Sequence, residues 1–262
     1  MLSRFTRPRA LALCALPVVG LFVAAAVAPL PFTLAQPGST SDVLGKHKGR
    51  QVITVSGTPV RATEGKLLMT TIVATGPRTD VDLGDVVDSW FRGDRAVLPH
   101  GSVYPPGKSD AEIEKRNIGQ MRESQNTAVE AALGYLGKSP EQVKVDLELA
   151  DVGGPSAGLF FALGIVDKIQ GDGAGGDLTG GRTVAGTGTV EADGTVGAVG
   201  GVSLKTQAAH RDGASVFLVP KDECADAQAE KPEGLRLVPV TSLQDAVSSL
   251  RALERGKKVP SC

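Results

Sequence analysis

VKVDLELADVGGPSAGLFFALGIVDKI, residues 143–169, is the stretch on which the fold turns. Val143 to Leu149 alternates apolar and charged side chains, the period-two pattern of a half-buried strand. Gly153, Gly154 and Pro155 then make a tight turn, and Ser156 to Ile169 follows as a helix. Leu159, Phe160, Phe161, Leu163, Ile165 and Val166 leave that helix apolar nearly all round, so it is expected to run through the middle of the molecule. A strand that feeds a buried helix through a glycine turn is the unit of an α/β architecture.

The same alternation extends outward. Upstream, Ser109 to Leu136 predicts a long helix, with Ser109 or Asp110 as N-cap, Glu112 in its first turn and Gly137 as its stop. Before it lie strands at Gln51–Val55 and Lys66–Ala74, expected to pair as a hairpin, a short helix over Asp85–Phe91, and a proline-bearing loop from Val97 to Lys108. Downstream, β segments are expected near Thr183–Val190 and Val196–Val199, then a helix over Ser203–Arg211, a strand at Val216–Val219 and an amphipathic helix at 242–254. No internal repeat is visible. Together these predict an α/β fold, a sandwich of short sheets and helices, over residues 51–262, preceded by a polar linker at 36–50 and a distinct N-terminal segment at 1–35.

In that segment Arg4, Arg7 and Arg9 precede an uncharged apolar stretch from Ala10 to about Leu34. A cleaved signal peptide has an apolar run of about 7 to 15 residues, whereas a spanning helix needs about 20, so the length favours an uncleaved transmembrane anchor. Thr33-Leu34-Ala35 keeps cleavage and secretion open as the alternative. The flanking arginines orient the chain with its N-terminus cytoplasmic and the remainder outside, a single-pass protein of the cell membrane. The 28 basic and 29 acidic residues nearly cancel and form no basic block, so nucleic acid is not an expected partner. Of the three cysteines, Cys14 lies within the apolar segment, and Cys224 and Cys262 are the soluble pair that an oxidising compartment would join.

Two elements carry chemistry. Ser156, flanked by Gly154, Pro155 and Ala157, stands at the tip of the buried helix, where orphan backbone amides and the positive end of the helix dipole suit an oxyanion. Lys205, about one turn into a largely apolar helix after Gly200-Gly201, would have its ammonium disfavoured by burial, making the neutral amine accessible as a base. Each also has an ordinary reading: Ser156 as a plain N-cap, and Lys205 as a solvated helix lysine.

Taken together the elements match a known pattern. Gly154-Pro155-Ser156-Ala157-Gly158 resembles the nucleophile motif of Lon proteases, and Gly200-Gly201-x-x-x-Lys205 followed by Ala-Ala-His-Arg resembles their lysine motif. Gly186-Thr187-Gly-Thr-Val is similar to the Thr-Gly-Glu-Val strand of the family, which implies that Thr187 hydrogen-bonds the lysine. Met121 to Leu133 and Val216 to Pro220 extend the likeness, which covers roughly residues 51–250. The resemblance is strongest to the membrane-anchored Lon-like proteins of the bacterial envelope, here without an inserted PDZ domain. The ATPase module is also missing, since no G-x-x-x-x-G-K-[ST] occurs and Gly171-Asp-Gly-Ala-Gly-Gly reads as a flexible loop.

What this implies is a serine endopeptidase with a Ser156–Lys205 dyad, needing no ATP or other cofactor and no metal, that cleaves unfolded or membrane-proximal polypeptides outside the cytoplasm. A homo-oligomer is implied by the same likeness. One departure stands out: many Lon enzymes carry an acidic residue three positions before the serine, where this chain has Gly153, and Asp151 is not assumed to replace it. Two rivals are weighed. A Ser-His-Asp hydrolase would need His47, His100 or His210, and His210 lies about 140° around the helix from Lys205. The other is a catalytically silent, membrane-anchored adaptor that uses the fold only to bind.

Overall fold

The structure, a computed structural model, describes residues 7–149 and 154–262, and the chain divides into two units. The larger comprises Gln36–Val73 and Lys108–Cys262, and the smaller comprises the residues up to Ala35 with Ala74–Gly107.

The larger unit is built on strands whose neighbours run Arg236–Val240, Val216–Pro220, Thr183–Gly186, Lys66–Ala74 and then Phe32–Asp42, which enters from the smaller unit. The first four are parallel in register, with Leu67 beside Val184, Val216 beside Val184 and Leu218 beside Val238. Alternate side chains point to opposite faces of a sheet. Leu67, Met69, Val184, Leu218 and Val238 therefore join one core, filled by the helix Gly158–Ile169, while Leu68, Ala185, Phe217, Val219 and Leu237 join a second core with Val202 and Ala209 of the helix Val202–Arg211. The sheet thus separates the serine helix from the lysine helix. Gly158 to Lys168 are buried without interruption, and the helix Asp110–Leu136 packs against them. That long helix starts on a capping box in which Ser109 and Glu112 satisfy each other's amides, and it stops at Gly137.

Three expectations are corrected. Gln51–Val55 and Lys66–Ala74 do not form a hairpin: Ile53–Ser56 pairs antiparallel with Lys144–Leu147, and Lys66–Ala74 lies parallel to Thr183–Gly186. Leu67, Leu68 and Met69 are apolar in succession, and only a strand covered on both faces can bury all three. Residues 36–50 are not an unstructured linker, for they carry most of the strand Phe32–Asp42 and the small ladder of Lys46–His47 with Arg50–Gln51. Their polar composition hides this because the pairing is made by backbone groups and by side chains such as Thr71, whose hydroxyl donates to the Ser39 carbonyl. The loop after the serine helix is not loose: Asp172 accepts from the amides of Ala174 and Gly176, and Arg61 donates to the Gly175 carbonyl at 2.6 Å.

In the smaller unit, Phe32–Ala35 pairs antiparallel with Ala96–Pro99, inside the stretch expected as a loop, and His100–Val103 forms a single helical turn. The unit also holds the helices Arg7–Val27 and Leu83–Trp90. Among the described residues no helix is long and apolar enough to cross a membrane. On Arg7–Val27 the side chains described, from Cys14 to Ala24 and Ala26, are exposed.

Candidate active site

The two faces of the sheet meet at the carboxyl end of the strand Thr183–Gly186, the end at which α/β sheets gather ligands. Thr187 follows that strand, with its amide bonded to the Leu218 carbonyl and none of its surface exposed. From one face comes Ser156, from the other Lys205.

The serine loop is held from several sides. Ser124 on the long helix donates to the Pro155 carbonyl at 2.9 Å, and the Gly188 amide donates to the Ser156 carbonyl at 3.0 Å. A Cβ on Gly158 would lie 2.9 Å from the Ser124 hydroxyl and 3.1 Å from the Val190 amide, so only glycine lets the loop sit this close. The helix begins at Gly158 with Ala157 as its cap residue, which puts Ser156 one position outside the cap. Ser156 is therefore not the N-cap of this helix, and its side chain is half-buried. The amides of Gly158 and Leu159 are bonded to the Pro155 and Gly188 carbonyls, and those of Ser156 and Ala157 precede them at the positive end of the dipole.

Lys205 occupies the inner side of its helix with only 3% of its surface exposed. Its Nζ donates to the Thr187 hydroxyl at 3.1 Å, and that hydroxyl donates to the Ser156 carbonyl at 3.1 Å. One threonine thus links the lysine amine to the main chain of the serine. Burial pushes the Lys205 ammonium down to about 8, against the upward pull of the Glu223 carboxylate. Glu223 is itself raised by burial and accepts from the Val199 amide at 3.0 Å. The lysine helix begins at Gly201, whose φ of 69° is a left-handed conformation natural to glycine. Gly201 has no side chain with which to cap, and Asp226 from the next helix accepts from the Val202 amide at 3.2 Å instead. Cys224, between those two carboxylates, is joined to Cys262 across a separation of 38 residues.

Motifs in the sequence point to Ser156, Lys205 and Thr187 and contain Ser124 and Gly188 without showing what these two do, but give no sign of Glu223 and Asp226. The last two lie just after the strand Val216–Pro220, and only the return of the chain beside the lysine helix reveals what they do. Gly154 and Pro155 form the loop itself, whereas Asp151 and Gly153 fall outside the described residues. No histidine joins the site: His210 is exposed at the end of the lysine helix, and His100 bonds Thr33 in the smaller unit. Among the described residues no group of three or more His, Cys, Asp or Glu side chains is arranged to hold a metal ion.

Residues 111–252 match the Lon protease (S16) C-terminal proteolytic domain. The chain is 27% identical over 184 residues to Lon protease 1 of Myxococcus xanthus, covering 64% of this chain and 21% of that protein. It is 27% identical over 172 residues to the archaeal Lon protease of Archaeoglobus fulgidus, covering 62% and 26%, and 29% identical over 155 residues to the Lon protease of Chloroflexus aggregans, covering 54% and 18%. The chain therefore spans about a quarter or less of the length of these relatives. With more than half of its residues matched, and with a buried lysine linked to a helix-tip serine, the chain belongs to the Lon protease C-terminal proteolytic domain family.

Proposed function

We propose that this protein is an ATP-independent serine endopeptidase acting through a Ser156–Lys205 dyad on unfolded or membrane-proximal polypeptides outside the cytoplasm. The observation that carries the reading is the buried Lys205 amine, tied through Thr187 to the Ser156 main chain. The neutral amine takes the Ser156 proton while Oγ attacks the scissile carbonyl carbon. The carbonyl oxygen becomes an oxyanion held by the amides of Ser156 and Ala157. The Lys205 ammonium then returns its proton to the departing amine, leaving an acyl ester on Ser156. Water, deprotonated by Lys205, attacks that ester; the acyl C–Oγ bond breaks, the Lys205 ammonium returns its proton to the departing Ser156 Oγ, and the new acid leaves as its carboxylate on losing its proton to solvent. Thr187 occupies one N–H of the amine and leaves its lone pair for this exchange.

ATP independence is supported by the steps themselves, each of which is carried by Ser156, Thr187 and Lys205 and consumes no nucleotide. An oxidising, extracytoplasmic setting is supported by the Cys224–Cys262 disulfide. The membrane anchor rests on Arg4, Arg7 and Arg9 ahead of the apolar segment. The test is cleavage of an unfolded polypeptide by the full chain beside its Ser156→Ala variant, with a serine-directed phosphonate as probe. Cleavage lost in the variant, and a phosphonate adduct on Ser156 in the parent, are expected. Identical behaviour of the two chains would leave a Lon-like adaptor as the surviving account.

A further inference from the structure

The helix Leu83–Trp90 is packed inside out. Ser89, small and polar, is 2% exposed, while Leu83, Val87, Trp90 and the following Phe91 are 43%, 47%, 81% and 84% exposed. These four recur at i, i+4, i+7 and i+8 and share one side of the helix. Scattered apolar residues on a surface mean little, but four contiguous ones, two of them aromatic, expose on the order of 500 Å², the scale at which a patch marks an interaction site. Propensity does not explain the arrangement, since the helix is already stabilised by the Asp82–Asp85 capping box. Its other side carries Asp82, Asp85 and Asp88, the last paired with both Arg92 and Arg95.

Three features of the same unit indicate what covers this face. The helix packs against Arg7–Val27, on which Leu16, Leu21 and Phe22 are 67%, 71% and 71% exposed, so apolar surface lies on both helices. The Leu30 amide bonds the Val81 carbonyl at 2.8 Å, so the chain leaving the apolar helix is fastened two residues before the amphipathic helix begins. At about 3.5 Å per residue the amphipathic helix starts within roughly 10 Å of that fastening point. Finally, an aromatic pair at the end of a short amphipathic helix suits the boundary between headgroups and acyl chains, where Trp is favoured.

We propose that Leu83, Val87, Trp90 and Phe91 form a membrane-interface contact that lies in the headgroup region of the bilayer and seats the smaller unit on the lipid surface. The contact rests on the anchored reading under Proposed function, because tethering by the N-terminal segment supplies the high local concentration of lipid that lets a small patch stay engaged. Residues 78–95 carry five aspartates against three arginines, so apolar insertion rather than attraction to anionic lipid drives the contact, and neutral phosphatidylcholine suffices.

Trp90 is the single tryptophan of the chain, which makes the test direct. The full-length protein is reconstituted into phosphatidylcholine vesicles, floated on a density gradient, and its fluorescence measured with lipids brominated at shallow or deep acyl positions. Co-flotation, a blue-shifted emission and quenching by shallow bromines that exceeds quenching by deep ones are expected. A Val87→Asp/Phe91→Asp chain, with Trp90 kept, should still float but lose most of the quenching. Flotation without quenching would overturn the contact and leave the anchor standing, as would a blue shift that follows protein concentration instead of lipid, which would mark a second copy as the occupant. Failure to float would remove the anchor and the contact together, and quenching unchanged in the double variant would show that this face does not hold Trp90 in lipid.

Discussion

Lys168 and Lys205 are both buried in helices of the larger unit, 9% and 3% exposed, but they differ in how much opposite charge surrounds them. Burial lowers the pKa of Lys168, near the end of the serine helix, and the carboxylates of Asp42 and Asp167 pull it back up. Among the described residues Lys205 faces the Glu223 carboxylate, and its pKa falls to about 8 as burial dominates. Asp167, in turn, is pushed up to about 6 by burial despite accepting from the Leu178 amide. Burial alone therefore does not make a lysine into a base. What distinguishes Lys205 is a hydroxyl partner in place of a surrounding cluster of charge, so losing its proton leaves fewer unbalanced anions behind.

This contrast is most sharply broken by exchanging the two cations for arginine. Lys205→Arg keeps the charge but cannot deprotonate, and peptidase turnover should fall by about three orders of magnitude or more. Lys168→Arg should leave turnover within a few-fold of the parent. Equal losses at both positions, measured on one unfolded substrate, would show that position 205 is only structural.

Stability should separate the same pair by the size of the effect. A lysine whose pKa drops from 10.5 to about 8 on folding destabilises the protein below pH 8. At about 1.4 kcal/mol per pKa unit the cost near pH 7 is about 3 kcal/mol, and it disappears as pH rises from 8 to 10.5. Lys205→Met should therefore unfold later than the parent in denaturant at pH 7, with the gap closing toward pH 10.5. Lys168→Met takes a cation from beside Asp42 and Asp167, which keep their backbone donors, so its gain at pH 7 should be smaller, under about 1 kcal/mol.

Thr187→Val removes the hydroxyl that joins amine to loop, and turnover should drop about 10- to 100-fold with little change in KM, whereas Thr187→Ser should recover most of it. The smallest effect is expected from Glu223→Gln. Without that carboxylate the Lys205 amine deprotonates at lower pH, so the rise in kcat that accompanies loss of its proton, centred near pH 8 in the parent, should move to lower pH by under about one unit. A profile unmoved by the substitution would place the controlling charge elsewhere.

Much of this architecture is legible in the order of the amino acids. The serine helix announces itself by being apolar on every side, and the long helix by its caps at Ser109 and Gly137. Local signals of that kind survive in sequence because each is completed within a few residues. The partner of Lys66–Ala74 is not legible, because parallel pairing with Thr183–Gly186 is set by burial on both faces rather than by the turn nearby. Nor is the strand hidden in residues 32–42, whose ladder uses backbone groups that every residue carries. At the site, Ser156, Thr187 and Lys205 can be read from motifs. The roles of Ser124, Glu223 and Asp226 cannot, since each of these acts on a residue more than twenty positions away.

The bridge between Cys224 and Cys262 has a bearing on this last group. Glu223 is the covalent neighbour of a half-cystine, and Asp226 stands one turn of backbone further on. Whatever rigidity the sulfur bridge confers is handed straight to the two acids that steady the entrance of the lysine helix. A thiol reductant applied to the folded protein would act on the tuning of its proton acceptor without touching the acceptor itself.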